Sequence, residues 1–365
     1  MRSDEGNYRE RLDQAVVAAR ALANVDPQRF CRALRGTFPA EVGYLLRQSG
    51  DNVARHAGAS SDASDVSCFF PEPHPLDYDW RFEPSTAERI AEIASAHGRV
   101  LCLGTPAVFQ AIAARKGHAH LIDRNSLIES FLAKAQNCTF EITDLADAPR
   151  TRQQFDAAVL DPPWYLPCYE LWLSRALAAL ARPSVIFVTI FRDLTRPGAD
   201  REREQLLTAL SALGRTKHVG DVVYSTPRFE AEVLERIGLP TMPSWRMADL
   251  VRVETTAASE GLTLAPAKPT KKLFQWQRYI IGGQVVAVRT PAHDNGPITY
   301  VYPRKPASGT DLMSVSRRDP SRVGLTVWTS RNRAVAATRD GAHRGVFRVH
   351  KREPKSPRQH AADHL

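Results

Sequence analysis

Between residues 99 and 191 short apolar runs alternate with helical stretches, and most of the runs stop at a glycine or an acid. Residues 99–103 end at Gly104, 118–122 at Asp123, 139–143 at Asp144 and 155–160 at Asp161. A further run covers 185–191. The stretches between them suit helices: 106–115 opens with Pro106, which favours a first turn, and stops before Gly117, while 168–181 and 198–213 follow later runs. Strands near 218–224 and 248–254 would complete the set. A chain of repeated β–α units has few ways to bury its runs, and the expected fold class is α/β with a doubly wound sheet. Such sheets bind ligands beyond the carboxyl ends of their strands. Gly104, Asp123, Asp144 and Asp161 all fall there.

The stretch after the fourth run is the most chemical. Asp161-Pro162-Pro163-Trp164, followed by Tyr165, places an acceptor, a stiff turn and two aromatic rings at a strand end. Asp161 can accept a hydrogen bond from an amino group, and two prolines restrict the backbone. The Pro162 carbonyl is expected to face a substrate N–H. Trp164 offers a flat face for a base or an alkylammonium stem. A strand ending in a proline-stiffened turn with a core tryptophan is the structural alternative.

This motif resembles the [Asp/Asn/Ser]-Pro-Pro-[Tyr/Phe/Trp] signature of amino-directed methyltransferases. The segment Leu101-Cys102-Leu103-Gly104-Thr105-Pro106-Ala107-Val108-Phe109-Gln110 is similar to one of their branches, the elongation factor 1A lysine methyltransferases, formerly described as probable N6-adenine methyltransferases. Trp80-Arg81-Phe82 with Thr86-Ala87 resembles the stretch ahead of that branch's first strand. Branched-polyamine synthases share a similar layout. The resemblance covers roughly residues 75–255 and implies a Rossmann-like class I methyltransferase domain. It also implies S-adenosylmethionine as cofactor, held by Gly104, Thr105 and Pro106 after the first strand and by Asp123, Asp144 and Leu145 further on. Asp123 lies about 20 residues beyond Gly104, where a carboxylate can hold ribose hydroxyls in a Rossmann-type unit. Only one glycine follows the first strand. S-adenosylmethionine has no pyrophosphate to cradle, so this departure argues more against NAD than against a methyl donor.

The ends of the chain read differently. Residues 1–60 look helical, with a pattern over 8–23, Asp26-Pro27 opening a second helix and Thr37 with Pro39 a third. Short helices across a Gly-containing turn suggest a helix-turn-helix-like unit, but 40–46 offers only Glu41 before Arg47. Packing, or homodimerisation through these helices, is therefore expected over base readout. Residues 51–68 read as a mobile connection and 351–365 as a disordered tail. Residues 265–350 carry strand patterns at 274–281, 284–288, 298–302, 323–328 and 344–349, a small β-rich domain. From Gly261 onward 19 Lys and Arg oppose 6 Asp and Glu, whereas the whole chain is +9. That piece could dock a nucleic acid or an acidic protein, and cofactor binding is expected to survive its removal.

No apolar stretch approaches the ~20 residues of a membrane span. The five cysteines, Cys31, Cys68, Cys102, Cys138 and Cys168, form no Cys-x-x-Cys pair and suggest reduced thiols in a cytoplasm. The histidines show no metal-ligand spacing. The expected function is methyl transfer from S-adenosylmethionine to an amino nitrogen, either adenine N6 of nucleic acid or a protein lysine. Asp161, Pro162, Pro163, Trp164 and Tyr165 would form the catalytic end. The alternatives are aminopropyl transfer giving branched polyamines, or an inactive module binding nucleic acid or protein.

Overall fold

The computed structural model describes residues 4–23, 27–48, 70–77, 80–147, 155–236, 239, 242, 244–256, 274–281, 283–291, 299–301, 310–311, 325, 327–331, 333–335 and 346–348. The expected connection at 51–68 and tail at 351–365 lie outside these residues.

Seven strands form the central sheet: β1 (Val100–Leu103), β2 (Ala119–Asp123), β3 (Cys138–Ile142), β4 (Phe155–Leu160), β5 (Leu180–Phe191), β6 (Gly214–Val223) and β7 (Met247–Thr255). Their order is β3-β2-β1-β4-β5-β7-β6. The first five run parallel, and β7 is antiparallel to both β5 and β6. This is a Rossmann-like, doubly wound arrangement.

The inner runs of β1 and β4 are apolar because both faces are covered, whereas the edge strand β3 carries the exposed Thr139 and the half-buried Glu141. Leu101, Leu103, Ala158 and Leu160 pack with Tyr169, Leu173 and Leu177 of α6 (Leu166–Ala179) and with Leu206 and Leu210 of α7 (Ala199–Leu213). The alternate residues Val100, Cys102, Ala157 and Val159 pack with Ile90 and Ala94 of α4 (Pro84–Ser95) and Phe109 and Ile112 of α5 (Pro106–Ala114). Two-residue strand periodicity thus splits one run between two cores.

Three strands end level. Leu103 is in register with both Ile122 and Leu160, so Gly104, Asp123 and Asp161 stand side by side at the sheet's edge. Gly104 N donates to Ile122 O at 2.9 Å and Asp161 N to Leu103 O at 3.4 Å. Two strands are longer than their patterns suggest. β6 starts at Gly214 because it is an edge strand whose Arg215 and Lys217 face solvent, so its first half lacks an apolar signature. β5 starts at Leu180, ahead of an exposed Pro183 that interrupts the apolar run.

The N-terminal helices α1 (Asp4–Ala23), α2 (Pro27–Ala33) and α3 (Pro39–Gln48) share a core with Leu234 of α8 (Arg228–Arg236) and with Leu239, Met242 and Trp245. Trp245 is fully buried; its Nε1 donates to Thr37 O at 3.1 Å and its carbonyl accepts from Gly36 N at 2.9 Å. Arg11 pairs with Asp193 at 3.2 Å and Asp200 at 2.8 Å. The helices therefore spend much of their apolar face on the rest of the same chain.

Toward the C-terminus, β8 (Phe274–Ile281), β9 (Gln284–Pro291), β11 (Thr310–Asp311), β12 (Val327–Thr329) and β13 (Arg333–Val335) form a five-stranded antiparallel sheet ordered β11-β13-β12-β9-β8. A separate pair joins β10 (Thr299–Val301) and β14 (Val346–Arg348). Among the described residues no helix is long and apolar enough to cross a membrane.

Replacing Trp245 with Ala should remove the anchor of the N-terminal helices and cost about 3–5 kcal/mol of stability. Urea denaturation measures this, and an unchanged midpoint would mean that the helices are not held by this core.

Candidate active site

A cavity of about 580 Å³ opens at the carboxyl ends of the central strands, a size that suits a small-molecule cofactor. All eleven residues singled out in the sequence line it: Gly104, Thr105, Pro106, Asp123, Asp144 and Leu145 on one side, and Asp161, Pro162, Pro163, Trp164 and Tyr165 on the other. Gly104, Asp144 and Asp161 follow β1, β3 and β4, and Asp123 is the last residue of β2.

At the first end, Gly104 has φ of +60°, a left-handed turn that glycine adopts without strain. A side chain there would also collide with the ring of Trp172, which reaches over from α6. One glycine suffices because the close approach occurs at one residue. Thr105 is buried and precedes Pro106, the first residue of α5. Asp123 Oδ1 accepts from Asn125 N at 2.8 Å, and its carbonyl accepts from Thr143 N at 2.8 Å. Asp144 Oδ1 accepts from Ala146 N at 3.1 Å, beside the buried Leu145. Both carboxylates are thus fixed by their own turns and point the strand ends into the cavity wall. A glycine turn, a carboxylate beside it and an apolar contact further on fit a nucleoside with a short zwitterionic chain.

At the other end, Asp161 Oδ1 accepts two hydroxyl donors, Thr189 Oγ1 of β5 at 2.5 Å and Tyr224 OH, just past β6, at 2.8 Å. Tyr224 is buried and bridges to Phe82. Burial first, and the Asp161 charge second, push its phenol well above the ordinary value, so it remains a donor at neutral pH. Tyr169 shifts the same way for the same leading reason and donates to Thr189 O at 2.9 Å. Tyr165 N donates to Pro163 O at 2.6 Å, closing a tight turn with Pro162 buried at its head.

Trp164 is held from two sides. Arg196 donates to its carbonyl at 2.6 Å and pairs with Glu202 at 2.5 Å. Arg246 lies 5.6 Å from its ring and 3.7 Å over the ring of Trp80. Glu230, nearly fully buried, accepts from Arg246 Nε at 2.9 Å and from Trp80 Nε1 at 2.9 Å. A buried carboxylate is tolerable here because two donors satisfy it. Phe38, just ahead of α3, and Pro39 and Glu41 of α3 line the same cavity.

Thr189, Tyr224, Glu230 and Arg246 were not legible as site residues. Thr189 carried one hint, as a hydroxyl inside the otherwise apolar run 185–191. The other three come from the distant β6–β7 region, and no local pattern announces them. A second cluster, His218, Asp221 and Asp249, lies on β6 and β7 outside the cavity. Its acids are paired with Arg192 at 2.8 Å and 3.4 Å and with Arg203 at 2.5 Å.

Residues 78–216 match the family model described as Probable N6-adenine methyltransferase. That span holds the glycine turn, Asp123, Asp144 and the Asp161 motif. Among curated proteins none matches the chain. Solved structures with a similar core include TrmN from Thermus thermophilus, 15% identical over 52% of this chain and 53% of that one, with a TM-score of 0.33. The chain thus spans about half the length of that structure. YjhP from E. coli is 13% identical over 49% and 96%, TM-score 0.34. Protein 1320 of Thermoplasma acidophilum is 16% identical over 47% and 89%, TM-score 0.34. The fold assignment rests on the strand order rather than on these likenesses.

Of the four described cysteines, Cys31, Cys102 and Cys138 are buried and Cys168 is half-buried on the cavity wall. Burial pushes the Cys168 thiol up and the Cys102 thiol to about 12. Iodoacetamide should therefore label Cys168 first among these four, with a rate still climbing above pH 9. Mass spectrometry of briefly labelled native protein checks the order, and faster labelling of Cys102 would contradict the packing described.

Proposed function

We propose that this protein transfers the methyl group of S-adenosylmethionine to an amino nitrogen carried on a base or a lysine. The observation that carries the reading is the Asp161 carboxylate, held by the hydroxyls of Thr189 and Tyr224 at the mouth of β4. It shares one cavity with Gly104, Asp123 and Asp144.

Bound S-adenosylmethionine supplies an electrophilic methyl on a sulfonium, so no protein nucleophile is needed. Gly104 and Thr105 would approach the methionine portion, Asp123 would accept the ribose hydroxyls, and Asp144 with Leu145 would border the adenine. Asp161 and the Pro162 carbonyl would accept the N–H groups of the acceptor and turn its lone pair toward the methyl. Transfer would leave the carbon–sulfur electron pair on sulfur and release one proton from the nitrogen, which Asp161 would face. Two hydroxyl donors on Asp161 Oδ1 fix the orientation of the carboxylate that would face the positive charge growing on the nitrogen. Trp164 and Tyr165 would stack on a base or line an aliphatic stem. The excess of basic residues after Gly261 supports docking of a nucleic acid or an acidic protein by the C-terminal unit.

Labelled S-adenosylmethionine offered with separate pools of DNA, RNA, cell protein and polyamines tests the reaction and names the acceptor. Asp161→Ala should nearly eliminate transfer and leave cofactor affinity unchanged, because this side chain acts on the acceptor. Wild-type turnover in that variant would sink the role of the motif. Asp161→Asn separates the acceptors: an amide oxygen still serves a neutral aminopurine, whereas a lysine loses the carboxylate that helps it shed a proton. Asp123→Ala should weaken cofactor binding by about 1.5–3 kcal/mol, the worth of one charged hydrogen bond. Calorimetry reads that change directly, and unaltered affinity would remove Asp123 from the site.

A further inference from the structure

The segment 70–77 lies between the C-terminal sheet and the cofactor end of the cavity, and both sides grip it. On the sheet side Asp77, whose side chain is only 4% exposed, receives a two-pronged contact from Arg278 of β8, with Nε to Oδ2 at 2.8 Å and Nη2 to Oδ1. His74, also buried, accepts Leu76 N on Nδ1 at 3.1 Å and so donates Nε2–H to Trp328 O of β12 at 2.8 Å. Glu72 accepts from Ser330 Oγ at 2.5 Å.

On the cavity side, Arg124 Nη2 donates to Asp77 O at 2.8 Å and to Leu76 O at 3.3 Å. Arg124 directly follows Asp123, and both line the cavity together with Asp77. Arg278 does not line it. A buried, bidentate arginine–carboxylate pair fixes geometry as well as charge, and removing one partner leaves the other desolvated and alone.

We infer that Arg278 is a positioning residue for cofactor binding: through Asp77 and the backbone it orients, it holds Arg124 and the adjoining Asp123 turn in the conformation that receives the ribose. The inference rests on the proposed cofactor site. It also makes the C-terminal sheet part of that site, against the expectation from charge alone that residues 262–365 can be removed without effect on the cofactor. Occupancy of the basic sheet and of the cofactor end would then be linked, since a contact that stabilises one conformation of the strap serves both.

The test uses the full chain. Arg278→Ala should raise the dissociation constant for S-adenosylmethionine about tenfold, the scale of a contact acting through others, while turnover at saturating cofactor stays near wild type. Arg278→Lys, which keeps the charge but not the fork, should fall between the two and stands in if the alanine variant fails to fold. The double variant Arg278→Ala with Arg124→Ala should bind no more weakly than Arg124→Ala alone, because both act through one strap. In the ligand-free protein, amide exchange at 122–128 should speed up in the Arg278 variants. Unchanged exchange there, unchanged affinity, or fully additive losses in the double variant would each overturn the inference. If wild-type protein fails to bind S-adenosylmethionine the reading of the site falls, and the exchange measurement still decides whether Arg278 orders the Asp123 turn.

Discussion

The site depends on the register by which three parallel strands end together. Because Leu103 stands opposite both Ile122 and Leu160, the chain leaves β1, β2 and β4 at the same height, and the next residue of each strand faces one cavity. Gly104 supplies a left-handed turn that brings backbone close, and Asp123 and Asp161 supply carboxylates on either side of it. A one-residue slip of β4 would turn Asp161 to the opposite face of the sheet and exchange the two cores that α4–α5 and α6–α7 cover. The packing that stabilises the fold and the alignment that builds the site are therefore the same interaction.

Charge inside the cavity is managed by pairing. Asp161 has two hydroxyl donors on one oxygen, and Glu230 has an indole and a guanidinium. Apart from Trp80, which lies ahead of α4, the partners come from β5, from just past β6 and from the residues leading into β7, so the antiparallel end of the sheet supports chemistry presented by the parallel half. Tyr224 serves both halves, carrying its hydroxyl to Asp161 while its ring packs on Phe82 and Trp164. Arg246, stacked on Trp80 and close to Trp164, lines the cavity next to the motif.

Most of the parallel half was legible in the sequence because its inner strands β1 and β4 are buried on both faces and must be apolar, and because β1, β2 and β4 lead into residues with a distinct backbone or charge. Asp161-Pro162-Pro163-Trp164 stood out for the same reason. What stayed hidden follows from the same physics. The first half of β6 is an edge with Arg215 and Lys217 outward, so its pattern is that of a loop. Tyr224 and Arg246 act across the fold, and neighbours in sequence carry no trace of a partner 63 or 82 residues away. The N-terminal helices showed their periodicity but not that Trp245 would occupy the apolar groove between them and the domain. The role of Asp77 was invisible, since a buried acid looks like any surface acid until its arginine is found 201 residues later.

The central claim is that the level strand ends form a nucleoside pocket for a methyl donor. Calorimetric titration of the purified full-length protein with S-adenosylhomocysteine, beside a parallel titration with NAD, tests it most directly. The account predicts saturable binding of one S-adenosylhomocysteine per chain and no heat with NAD. Binding of NAD with none of S-adenosylhomocysteine would contradict it.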